Sequence, residues 1–242
     1  MRLDQQVEMS GTSRVGSVDS TVTVITVTRV LAHSVVERRD SAGTRMLAVT
    51  DSVLVSGAAK DGRLNGTPAP TAVGGLQGRR VQLRVAPDGA TEVLAEEGDR
   101  LTPELRALFA QMPATLPRGV VTVGDTWVRK MDIPTAGQPG APSAGRLKAT
   151  FRLDSLTRGG ELAHISMRGQ LSRQRAQPDL PDGLQFTMTG FVIGTMAFDR
   201  RRGWLTDART TLTVQSLVTP PAGHAASPMR VRMKVTQWLR AM

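Results

Sequence analysis

The chain has no cysteine. Disulfides, thiolate nucleophiles and cysteine-ligated metals are therefore excluded, and stability must come from burial and backbone pairing. It also has no tyrosine: five Phe and three Trp are its only aromatic residues in 242. Surfaces that bind single-stranded nucleic acid rely on aromatic platforms for stacking, and this chain has too few rings to build one, so nucleic acid is not expected as a partner. No apolar run approaches the ~20 residues that a membrane-spanning helix needs. The opening MRLDQQVEMSG is polar and lacks the apolar core of a signal peptide, so neither a leader nor a transmembrane helix is expected.

Catalytic signatures are equally scarce. There is no phosphate-binding Gly-Lys-Ser/Thr loop, no dinucleotide fingerprint, no His-Glu-x-x-His and no Gly-x-Ser-x-Gly elbow. The three histidines, His33, His164 and His224, fall in separate strands or loops. Glu96, Glu97 and Asp99 cluster just before a helical pattern; they could bind a cation, but the reading preferred is that carboxylates there favour the helix dipole. Asn65-Gly66-Thr67 matches a glycosylation sequon but reads better as an Asn-Gly turn. The expectation is a protein that is not an enzyme, with no cofactor, no metal and no catalytic residue.

What the chain does have is alternation. Leu147, Ala149, Phe151 and Leu153 alternate with Arg146, Lys148, Thr150, Arg152 and Asp154. After Gly159-Gly160, Ala163, Ile165 and Met167 alternate with His164, Ser166 and Arg168. Period two across a glycine turn predicts an antiparallel hairpin with one buried face and one wet, basic face. Similar patterns predict strands over 1–10, 20–31, 45–55, 81–85, 91–95, 184–198 and 204–218, and a last strand from Met229. The slip at Val24-Ile25 suggests a bulge or burial on both faces. In 184–198 both faces are apolar, and Gly190 and Gly194 mark bends.

One helix is expected. Thr102 is the N-cap, Pro103 the first residue and Pro113 the stop; Leu105, Leu108, Phe109 and Met112 make one apolar face. Segments 60–78, 134–145 and 219–228 read as loops. The predicted fold is thus mainly β, as a single domain over 1–242. It is a strongly curved antiparallel sheet of about ten strands, half-barrel or barrel-like, with the short helix packed on its concave face.

Two motifs carry a resemblance. One is Leu116-Pro117 followed by Val123-Gly124-Asp125-Thr126-Trp127; the other is Gly194-Thr195-Met196-Ala197-Phe198-Asp199 closed by Gly203. Together they resemble a group of bacterial envelope proteins that are all-β and mostly exported, some of them similar to half-barrel lipoprotein carriers. The resemblance spans about residues 80–240 and implies an envelope location, with the periplasmic side of a membrane favoured. Neither motif is catalytic: Gly124-Asp125 reads as a turn and Trp127 as a core anchor. The chain departs from that group in having neither a leader nor a lipobox cysteine.

Net charge is +10, from 31 basic and 21 acidic residues. Arg146, Lys148, Arg152 and Arg168 share the wet face of the hairpin, and Arg230, Arg232 and Lys234 line the last strand. The plainer reading is a solvated outer face. The functional reading is a docking surface for lipid phosphates or for acidic loops of a membrane protein complex. Two functions follow. One is a non-catalytic, membrane-extrinsic structural subunit that docks on a larger membrane complex; a concrete instance would be a bacterial photosynthetic reaction-centre and light-harvesting assembly. The alternative is a soluble half-barrel carrier of lipid or another hydrophobic ligand.

Overall fold

A computed structural model describes residues 1–15, 18–59, 77–97, 115–133, 145–173, 185–220 and 227–242. They form eleven strands in chain order: β1 (Arg2–Val15), β2 (Val18–Asp40), β3 (Gly43–Ala59), β4 (Arg80–Val85), β5 (Thr91–Glu97), β6 (Thr126–Ile133), β7 (Gly145–Thr157), β8 (Leu162–Arg173), β9 (Gln185–Asp199), β10 (Trp204–Thr219) and β11 (Met229–Arg240). All lie in one sheet, ordered β5-β4-β3-β2-β1-β11-β10-β9-β8-β7-β6. Every ladder is antiparallel. Sequence neighbours are therefore spatial neighbours except at one place: β5 and β6 form the two ends, and the first and last strands meet in the middle.

Three expectations are corrected. The sheet has eleven strands where about ten were expected, because β6 was not legible as a strand: Arg129 sits on its inward face beside Trp127 and interrupts the apolar alternation. The sheet is not closed, since β5 and β6 share no ladder. No α-helix packs on it among the described residues, where the one helical turn is the 3-10 turn Arg158–Gly160 in the β7–β8 hairpin; the helical pattern over 102–112 lies outside those residues. Of the two readings of the slip at Val24-Ile25, the bulge is not seen and both residues are partly buried: β2 keeps one register there against both neighbours, and its shifts come later, at Leu31/Ala32 and Val36/Arg38. The expected loops at 60–78, 134–145 and 219–228 fall mostly outside the described residues.

Directly paired residues on antiparallel strands point to the same side, so the registers fix two faces across all eleven strands. The inner face holds the core. Phe151 and Ala149 are fully buried, with Ile165, Met167, Val192, Met196 and Val214 around them. Trp127 stacks on Phe151 at 5.8 Å between ring centroids. A smaller cluster, Val81 and Leu83 with Met46 and Val93, lies at the far end on the same face.

The sheet curls toward this inner face. A Cβ on Gly190 would stand 2.5 Å from the Thr213 carbonyl oxygen, and one on Gly194 would stand 2.7 Å from that of Arg209. Only a residue without a side chain allows strands to bend that tightly inward. The curl brings the two ends of the sheet together at one corner. Leu116 donates its backbone N–H to the Asp88 carbonyl in the β4–β5 turn (2.9 Å). Arg129 on β6 lies 3.8 Å from the Asp88 carboxylate and also donates to the Leu116 carbonyl oxygen. Trp127 donates its indole N–H to the Thr115 carbonyl at 2.8 Å. Residues 115–118 thus bridge the open seam.

Gly11 lies on the same inner face, yet nothing comes within 4 Å of a Cβ built on it. Gly190→Ala is expected to destabilise the protein by about 1–3 kcal/mol through overpacking. Gly11→Ala should be neutral or mildly stabilising, since it removes only unfolded-state freedom. Urea denaturation of the two variants measures the contrast, and equal effects would refute the curl.

Asp88 gives a second check. Burial raises its pKa, but the Ala90 amide, Arg118 and Arg129 outweigh that and hold the carboxyl below its ordinary value of 3.8. A depressed folded pKa means that the unfolded chain binds the proton more readily. The stabilisation is therefore complete above that ordinary value and is lost as pH falls through it to the folded pKa. Asp88→Asn should cost about 1–3 kcal/mol at neutral pH and should flatten the acid limb of the stability curve.

Candidate functional site

Two surfaces can carry function, one on each face. The inner face between the two core clusters is formed by β11, β1, β2 and β10. Val235 pairs across to Val7, Met233 to Met9, and Met9 onward to Val24. These side chains are apolar but only partly covered: Met9 is 45% exposed and its neighbour Val22 40%. One polar row crosses this face, running Thr210, Gln237, Gln5, Thr28 by direct pairing. All four are half-buried, and Thr210 and Gln237 meet at 3.3 Å. On the far side of the row the face is apolar again, with Leu239, Leu3 and Val30. The arrangement offers apolar area together with amide and hydroxyl groups at one level.

The outer face is the basic one, and all seven cations singled out from the sequence are on it. Arg146, Lys148 and Arg152 on β7 are exposed. Arg168 on β8 pairs with Thr150, which places it between Lys148 and Arg152. Arg230, Arg232 and Lys234 line β11 on the same side, but β9 and β10 separate them from β8, about 14 Å at the usual strand spacing. The sheet therefore makes two basic groups rather than one patch. Arg152 leans on Asp154 at 3.9 Å, and Arg146 has a partner of its own. Among the described residues no ion pair engages Lys148, Arg168, Arg230, Arg232 or Lys234, although Glu8 stands across from Lys234.

Sequence reading missed three members of this face. Lys130 on β6 pairs directly with Lys148, and it went unnoticed because β6 did. Phe191 and Ile193 on β9 point outward and are 48% and 50% exposed. The signal was present, since β9 reads apolar on both faces. Its inward half, Val192 and Met196, is buried in the side-chain core.

Among the described residues the remaining candidates do not converge on one site. His33 meets Asp51 at 2.7 Å and His164 meets Thr157 at 2.9 Å, while His224 lies outside the described residues. Glu96 and Glu97 belong to β5. Among the described residues no three acidic or histidine side chains converge as metal ligands would. Asp125 caps the turn before β6, accepting from the Thr122 amide at 2.8 Å and from its hydroxyl at 2.9 Å; these two bonds, the amide first, hold its carboxyl below the usual range. Gly124 has φ 98° in that turn. In the second motif, Asp199 accepts from the Arg202 amide at 2.8 Å, and Gly203 has φ 73°. Both motifs are turn devices. Arg200, Arg201 and Arg202 also serve turns, Arg200 donating to the Gly160 carbonyl oxygen at 2.7 Å.

No protein-family model matches the chain, and no curated protein matches it. Among solved structures, a domain from Vibrio parahaemolyticus described as an outer membrane lipoprotein-sorting protein aligns over 99% of this chain and 86% of its own, at 8% identity and a TM-score of 0.18. An overlap that small establishes no common fold. Among the described residues no helix is long and apolar enough to cross a membrane.

Proposed function

We propose that the protein binds a hydrophobic, amphiphilic ligand on its inner face, as a non-catalytic half-open carrier. One observation carries this reading: the apolar strip around Met9, Val22 and Val24 is left partly uncovered inside a sheet that curls toward it. Uncovered apolar area on a concave face is unfavourable in water and favours a guest that removes it. The Thr210-Gln237-Gln5-Thr28 row supplies hydrogen bonds at one level, which suits a polar head attached to an apolar tail. The open seam between β5 and β6 gives such a ligand a way in that a closed barrel would deny.

The basic outer face supports a second reading, a membrane-extrinsic role in which the cations dock the protein on a larger partner. The two roles use opposite faces and are compatible. Neither the fold nor the comparisons favour a photosynthetic assembly as that partner.

Gently purified protein is expected to release an amphiphile on solvent extraction, identified by mass spectrometry, and to bind a fluorescent fatty acid. Met9→Glu combined with Val22→Glu should weaken that binding about tenfold or more, because a carboxylate must then be desolvated against the tail. Both positions are exposed enough to tolerate the change in the free protein. An empty extract together with no probe binding would leave the inner face without a guest and remove the carrier reading.

A further inference from the structure

The outer face has an organisation beyond its net charge. Phe191 and Ile193 stand at its centre on β9, and the registers place cations on both sides of them. Ile193 pairs with Arg168, and Phe191 pairs with Gln170, which pairs with Lys148. On the other flank Phe191 pairs with Thr213, which pairs with Lys234; one step along, Thr189 leads through Gln215 to Arg232. At ~4.8 Å per strand, Arg168 is about 5 Å from the apolar pair and Lys148 and Lys234 are about 10 Å away. The residues between are Thr and Gln, all neutral. Because the sheet curls toward its inner face, this outer face bulges, and β9 sits at the middle of the six strands β6 to β11.

We propose that this face docks on an anionic lipid bilayer, with Phe191 and Ile193 entering the headgroup region and Arg168, Lys148, Lys234 and Arg232 contacting phosphates around them. Charge complementarity selects the partner. The chain carries +10, and these four cations have no ion-pair partner among the described residues. An acidic protein surface would satisfy the charges but not the two exposed apolar side chains between them. A bilayer interface satisfies both, since it offers phosphates at the surface and acyl boundary just beneath. Docking here leaves the inner face free, so the proposal stands whether or not that face holds a ligand.

The test is co-sedimentation of the full chain with vesicles of phosphatidylcholine alone and of phosphatidylcholine mixed with phosphatidylglycerol. Binding is expected only to the mixture, and it should fall sharply at 1 M salt, where the Debye length shrinks to ~3 Å. Lys148→Glu, Arg168→Glu and Arg232→Glu together should abolish it, since each cation near an anionic surface contributes roughly fivefold. Phe191→Ser with Ile193→Ser keeps every charge and should weaken binding about tenfold. Circular dichroism is the check that both variants fold, as expected for exposed positions. Equal binding to the two vesicle types, or wild-type binding by the charge variant, overturns the proposal. So does an unaffected Phe191/Ile193 variant, because a purely electrostatic face fits an acidic protein instead.

Discussion

Parity governs this structure. Ten antiparallel ladders connect eleven strands in a ring-like order, and each ladder reverses strand direction. After ten reversals β5 and β6 point the same way. They could close the ring only by parallel pairing, for which the chain would have to supply a different hydrogen-bond pattern at a single seam. The seam stays open, and the 115–118 segment bridges it at the Asp88 corner instead. Two features go with that unpaired seam: the concave inner face and its partly uncovered apolar strip.

The inward bend is written into a few small residues on the core face. Gly169 on β8 pairs with Val192, which Gly190 and Gly194 flank on the same face of β9, and a Cβ on any of the three glycines would press on a neighbouring strand. Where they occur, the sheet curls tightly over Phe151 and Met167 and buries them. At Gly11 on β1 such crowding is absent, and the same face is more open there. Packing density therefore changes along the sheet, from a filled side-chain core at β7–β10 to an accessible strip at β11–β2.

Much of the architecture was legible from residues. The alternation of Leu147 to Leu153 and of Ala163 to Met167 gave the β7–β8 hairpin, its turn and its basic side. The seven outward cations followed from the same period of two. What could not be read was anything set by distant pairing. Arg129 disguised β6 because its inward side chain answers Asp88, on a turn at the opposite end of the sheet. The outward exposure of Phe191 and Ile193 was hidden because an apolar run looks alike whether both faces are covered or only one. The separation of the basic residues into two groups depends on strand order, which no local pattern specifies.

In the middle of the sheet β1 meets β11, the strand farthest from it in sequence. Asp4 on β1 binds Arg29 of β2 and Arg2, each at 2.8 Å, and it pairs in register with Trp238 of β11. Trp238 lies under Arg209 of β10 and donates to Asp207 at 2.7 Å. This clasp has a consequence for biosynthesis. Met9 must wait for Met233, so at roughly 5–20 residues per second β1 spends on the order of ten seconds or more as a bare edge while translation continues. An unpaired edge of that length invites pairing with other chains. The β1–β5 half therefore keeps that edge bare until Met229–Arg240 has been made and can dock on it.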